Sequence, residues 1–144
     1  MEQRISLITL AVQDLDASRR FYVEGLGWTP HLEVAGDVVM IRVGGHLLLS
    51  LWTASGFEAE VGPVRSGEGV VPLTIAHNAG TDAEVDEVLG TAERAGAQVW
   101  RAERREWGGY SGYFADPDGF RWEIACTGEG GPLAFLVPAL PEAR

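Results

Sequence analysis

Glu123 stands between Trp122 and Ile124 in the stretch GGYSGYFADPDGFRWEIA, residues 108 to 125, where a charge interrupts an apolar run. A carboxylate among apolar neighbours is costly unless a metal, a cation, a ligand or a proton stabilises it. Asp116-Pro117-Asp118-Gly119 is hairpin chemistry, because Pro presets φ, Asp bonds nearby backbone and Gly accepts a positive φ. With these four residues as the loop, Arg121, Glu123 and Ala125 point to one face of a sheet, and Trp122, Ile124 and Cys126 to the other. Gly112 then opposes Glu123, while Tyr110 and Phe114 share its face, so Tyr110 could offer a phenol to a ligand. Trp107, just ahead of the glycines, is a candidate aromatic wall. Desolvation raises a carboxylate pKa and suits it to general acid or base work. A positive neighbour, Arg121 or Arg42, would make it an anchor or a structural bridge instead.

The three histidines lie apart from this centre. His31 beside Pro30 and His46 after a turn read as surface or strand-end residues, and no H-x-H or H-x-x-x-H spacing links any pair. His77 could look into a cleft or bond the turn before Thr81. Cys126 is the single cysteine, so no internal disulfide can form; it suits a reducing cytoplasm and reads as a small buried hydrophobe. Eleven Lys+Arg against 21 Asp+Glu give a net charge of -10, which argues against a nucleic-acid or anionic-membrane surface. The apolar run from Ile5 to Val12 is too short and wrongly flanked for a signal peptide or a membrane span.

The elements that must position these residues recur in two sets. ISLITLAV is a strand, Asp14 or Asp16 caps a short helix through Tyr22, and WTPHLEV, DVVMIRV and HLLLSLW are three further strands. From Val70 the order repeats. VVPLTIAH is followed by the capping box Thr81-x-x-Glu84 and a helix with an apolar stripe of Val85, Val88, Leu89, Ala92 and Ala95, ended by Gly96. AQVWRA, YSGYFA and FRWEIAC complete the second set. The fold class expected is α+β, one domain of two tandem βαβββ modules: module one at 4–52, a glycine-rich linker at 53–69 and module two at 70–126. A tail at 127–144 turns apolar at LAFLVPAL and is expected to dock on the domain or on a partner subunit, with a flexible end from about Pro141.

The doubled βαβββ order, AVQDLDASRRFYVEGLGW after the first strand and YFADPDGFRWEIA at the end resemble the vicinal oxygen chelate superfamily. That group includes glyoxalase I, bleomycin-resistance proteins and extradiol dioxygenases, and the resemblance covers residues 4 to 126. It implies that each module curls into half of a mixed-sheet cleft and that the protein is a homodimer. Family enzymes with a metal take ligands from the first and last strands of the modules, typically a His or Glu on each. Carried over, the last-strand position is Glu123, but the other three fall on Leu7, Leu49 and Leu73, or Thr74 if the register slips by one. Leucine has no lone pair for a metal and a catalytic zinc site takes about three protein ligands, so neither a metal site nor a cofactor is expected.

Three readings of function remain. The first is a metal-free protein binding an antibiotic or aromatic metabolite against Leu7, Leu49, Leu73, Trp107, Tyr110, Phe114, Arg121 and Glu123. The second is a metal-independent isomerase or lyase using Glu123 with Tyr110 or His77. The third is a metal-dependent glyoxalase or dioxygenase with displaced ligands.

Overall fold

Alternating apolar strands build two sheets of identical strand order, accompanied by three helices with side-chain N-caps. The computed structural model describes residues 1–128 and Leu136. Most of the tail expected at 127–144 therefore lies outside the described residues. The chain divides into two compact units, Met1–Gly69 and the segment from Val70 onward. Among the described residues, no helix is long and apolar enough to cross a membrane.

The first unit runs β1 (Leu7–Val12), α1 (Leu15–Arg19), β2 (Pro30–Val34), β3 (Val38–Arg42), β4 (Leu48–Thr53) and α2 (Ala54–Glu60). Asp14 caps α1 by accepting from the Ala17 N–H, and the helix continues as a π-helical turn over Arg20–Gly25. Its sheet is ordered β1-β4-β3-β2, with β1 parallel to β4 and the other pairs antiparallel. Leu10, Val12, Ile41, Leu49 and Leu51 from the strands, with Phe21 and Tyr22 from the helical segment, form the buried core. The stretch expected to be a loop over 53–69 begins instead with α2, which Thr53 caps through its side chain at the Gly56 N–H. Seven residues are too few to display a helical period, which is why the sequence hides this helix.

The second unit runs β5 (Thr74–Asn78), α3 (Asp82–Arg94), β6 (Gln98–Arg104), β7 (Tyr110–Ala115) and β8 (Arg121–Cys126), with sheet order β5-β8-β7-β6. β5 and β8 pair in parallel, as β1 and β4 do. The capping box is formed: the Thr81 hydroxyl accepts from the Glu84 N–H and the Glu84 carboxylate accepts from the Thr81 N–H. Gly96, at φ +97°, lets the chain leave the helix. Val85, Leu89 and Ala92 of α3 are buried, and α3 packs on β6, β7 and β8. Full burial stabilises by roughly 2 kcal/mol for each of the two larger side chains. Phe114 and Trp122, stacked with ring centroids 5.9 Å apart, are also part of this core.

Candidate functional site

The register of β7 on β8 decides what surrounds Glu123. Gly119 N–H donates to Asp116 O, Asp116 N–H donates to Phe120 O, and the Asp116 carboxylate accepts from the Asp118 and Phe120 N–H groups. Phe120 thus belongs to the turn, the first ladder pair is Ala115 with Arg121, and Glu123 lies opposite Tyr113. This corrects the expected pairing of Glu123 with Gly112, which came from a four-residue loop. Because side chains alternate, the one-residue difference exchanges the whole β7 face. Tyr110 and Phe114 point to the α3 side: the Tyr110 hydroxyl donates to Asp86 of α3 at 2.9 Å, and Phe114 is 2% exposed. The hydrogen bond to Asp86 is the main reason that the Tyr110 phenol is raised above its ordinary pKa.

On the other face the Tyr113 hydroxyl donates to Glu123 Oε1 at 2.9 Å. The Tyr113 phenol is also raised, first by burial, then by its hydrogen bond to Glu123 and by that carboxylate's charge, with Arg105 opposing. Across β8 the parallel partner of Glu123 is Ala76, and that of Arg121 is Thr74. Thr74, the alternative to Leu73, therefore takes the Glu123 face, while Leu73 lies before the strand and is 41% exposed. His77 pairs with Ile124 and so shares the opposite face. Glu123, Tyr110 and His77 are not gathered on one face.

An open hollow of about 590 Å³ lies on the Glu123 face, lined by Thr74, Trp100, Arg101, Glu103, Arg105, Tyr113 and Arg121. A bulge in β6 builds its wall. Trp100 pairs with Tyr113 and Glu103 with Ser111, leaving Arg101 and Ala102 opposite the single residue Gly112. Trp100 and Glu103, three apart, consequently face the same way, which strict alternation would forbid. Gly112 makes room for the bulge, since a Cβ there would come within 2.8 Å of Ala102 N and of Trp100 O, and within 2.6 Å of Leu89 Cδ1. Arg105 is locked by donating from Nε to Ser111 Oγ and from Nη2 to Ser111 O, both at 3.0 Å. Its guanidinium lies over the Tyr113 ring, 5.7 Å from the centroid, and pairs with Glu103.

Trp107 occupies the β6–β7 turn, closed by Arg105 N–H to Gly109 O. Its ring folds back on Gly109, where a Cβ would overlap it, and it is 56% exposed outside the hollow.

The first unit carries a separate hollow of about 380 Å³ between its sheet and α2, with Leu7, Thr9, Ser50 and Trp52 on the sheet side and Phe57 on the helix side. Leu49, expected with Leu7 in a cleft around Glu123, belongs to the core at 1% exposure, because β1 pairs Leu7 with Leu48 and Thr9 with Ser50. The Trp52 indole donates to Asp37 Oδ1 at 2.8 Å. Gly56 permits α2 to lie against Trp52, since a Cβ would stand 2.5 Å from Trp52 Nε1.

The donor set does not fit a catalytic metal within either unit. Glu123 stands alone as a carboxylate beside Ala76 and a phenol, and among the described residues no group of three or more His, Cys, Asp or Glu comes together. Tyr113, Glu103 and Arg105 had no place in the sequence-based site. The double backbone acceptance of Asp116, the signal for Tyr113, is latent in the Asp-Pro-Asp-Gly-Phe run.

Residues 4–124 match the model of the Glyoxalase/Bleomycin resistance protein/Dioxygenase superfamily. The glutathione transferase FosA of Serratia marcescens is 34% identical over 128 residues, 86% of this chain and 81% of that protein. A glyoxalase-related enzyme from Fulvimarina pelagi is similar with a TM-score of 0.79 and 34% identity, covering 87% of this chain and 88% of that one. Lactoylglutathione lyase from Agrobacterium tumefaciens follows at a TM-score of 0.67 and 27% identity, covering 87% and 94% of the two chains. The strand order, the doubled module and these likenesses agree, and the chain belongs to the Glyoxalase/Bleomycin resistance protein/Dioxygenase superfamily.

Proposed function

We propose that the protein binds a small organic molecule in the hollow of its second unit, with the Tyr113–Glu123 pair as the polar centre. The observation that carries this reading is the 2.9 Å hydrogen bond to the Glu123 carboxylate from the phenol of Tyr113, which lines the hollow together with Trp100 and three arginines while Glu123 lies beside it on the same sheet face. A concave surface with aromatic walls and a few fixed polar groups is how small-molecule sites are built. The reading extends to a cytoplasmic homodimer; the buried, unpaired Cys126 supports the reducing compartment.

A second reading, a metal-independent isomerase or lyase, is favoured by the same pair. A carboxylate can accept a proton from carbon, and the neighbouring neutral phenol, once its single O–H turns from Glu123 to the substrate, can donate a hydrogen bond to the developing charge. Relatives named as a glutathione transferase and a lactoylglutathione lyase add weight to an enzymatic role, though not to its being independent of a metal. A thermal-shift screen of aromatic metabolites and antibiotics, with turnover of each hit followed by mass change, tests both. Ligands that stabilise the wild type and lose that effect in Glu123→Gln are expected. Hits unaffected by this substitution would remove Glu123 from the site, and conversion of a hit would select the enzymatic reading.

A further inference from the structure

The arginines of the second hollow are not equivalent. Arg101 donates to the Glu93 carboxylate of α3, and Arg105 is committed to Ser111 and Glu103. Arg121 has no hydrogen-bond or ion-pair partner among the described residues; its guanidinium rests on the Trp100 ring, 3.8 Å from the centroid. It is half-buried on the hollow's floor, beside Glu123 in the alternation and opposite Thr74 on β5. Stacking on an indole holds the guanidinium in place and leaves its N–H donors available, the arrangement in which Arg receives a planar, two-oxygen anion.

The chain as a whole, at a net charge of -10, repels anions, so a bare inorganic ion would gain little here. A ligand that also buries a flat apolar body against Trp100 and Tyr113 would overcome that repulsion. We propose that the hollow takes a planar organic carboxylate, its carboxylate group on Arg121 and its body beside the two aromatic rings. The proposal rests on the hollow being a ligand site and deepens that reading by naming the class of ligand.

Calorimetric titration with 2-naphthoate and its neutral counterpart 2-naphthamide tests it on the full chain. Wild type binds the carboxylate about tenfold or more tightly than the amide, as a charge-assisted pair requires. In Arg121→Gln the preference disappears because the carboxylate loses far more affinity than the amide, and Arg121→Lys, which keeps the charge but loses the planar fork, falls between. Equal affinities in wild type, or a preference that survives Arg121→Gln, would overturn the proposal; the wild-type comparison holds even if a variant folds poorly. Equal affinities that still weaken in Trp100→Leu would refute the carboxylate class and leave the hollow as a ligand site. Failure of both probes to bind, or binding indifferent to every substitution in the hollow, would overturn both.

Discussion

If Tyr113 and Glu123 form the centre of the second hollow, they must be energetically coupled, and a double-mutant cycle measures this without any ligand. Tyr113→Phe removes the hydroxyl that donates to Glu123 Oε1 at 2.9 Å, and Glu123→Leu removes the acceptor at similar volume. A hydrogen bond to a charged group is worth about 1.5–3 kcal/mol where water is excluded. Both residues are half-buried and the hollow is open, so water competes and the expected coupling is about 1 kcal/mol. Each single variant loses this bond, and the double variant loses it only once. The new leucine also changes strand propensity and burial, but the cycle subtracts that effect because it occurs with either partner at 113. Urea denaturation followed by circular dichroism gives the four stabilities, provided that the slopes agree. Losses that add to within about 0.3 kcal/mol would show that the pair is uncoupled, and the hollow would lose its polar centre.

Two further outcomes follow from the same geometry. Gly112→Ala drives a methyl into Ala102 N and Trp100 O, backbone atoms of the β6 bulge that cannot rotate aside, and should lower stability by about 3 kcal/mol in the same denaturation assay; a loss below about 1 kcal/mol would mean that the bulge yields. The Tyr113 phenol is raised in the folded protein by burial and by Glu123, so it contributes stability that is complete below the unfolded value of about 10 and is lost as pH rises through the folded value. Tyr113→Phe should therefore lose less stability than wild type as pH rises from about 9.5 to about 11.5, although Tyr110, also raised, keeps part of the slope. Identical losses would show that the phenol is not raised in the folded protein.

What the sequence revealed was chemistry local to a few residues. The Thr81–Glu84 capping box, the stripe through Val85, Leu89 and Ala92, and the doubled strand order are all formed. Glu123 was likewise legible as a charge out of place. Its neighbours were not, because their identity depends on parity, and parity hangs on whether Phe120 lies in the turn or in the strand. The Asp116 carboxylate, holding the Phe120 N–H, decides this and exchanges Tyr110 and Phe114 for Tyr113. On β6 the bulge opposite Gly112 breaks alternation a second time, bringing Trp100, Glu103 and Arg105 to one wall. In the first unit the same parity separates Leu7, in a hollow, from Leu49, in the core.

The strand orders β1-β4-β3-β2 and β5-β8-β7-β6 also bear on how the chain is made. Within each sheet, the first strand synthesised has only the last as its neighbour, so β1 waits unpaired until β4 emerges, and β5 until β8. Each sheet nevertheless draws all its strands from its own segment, residues 7–53 or 74–126. A ribosome that has released Thr53 has delivered everything the first sheet requires, and that sheet can close during synthesis of the second. In the second sheet β8, the strand that carries Arg121 and Glu123, is the one that ends β5's wait. The hollow of the second unit therefore comes into being at the moment its sheet is completed.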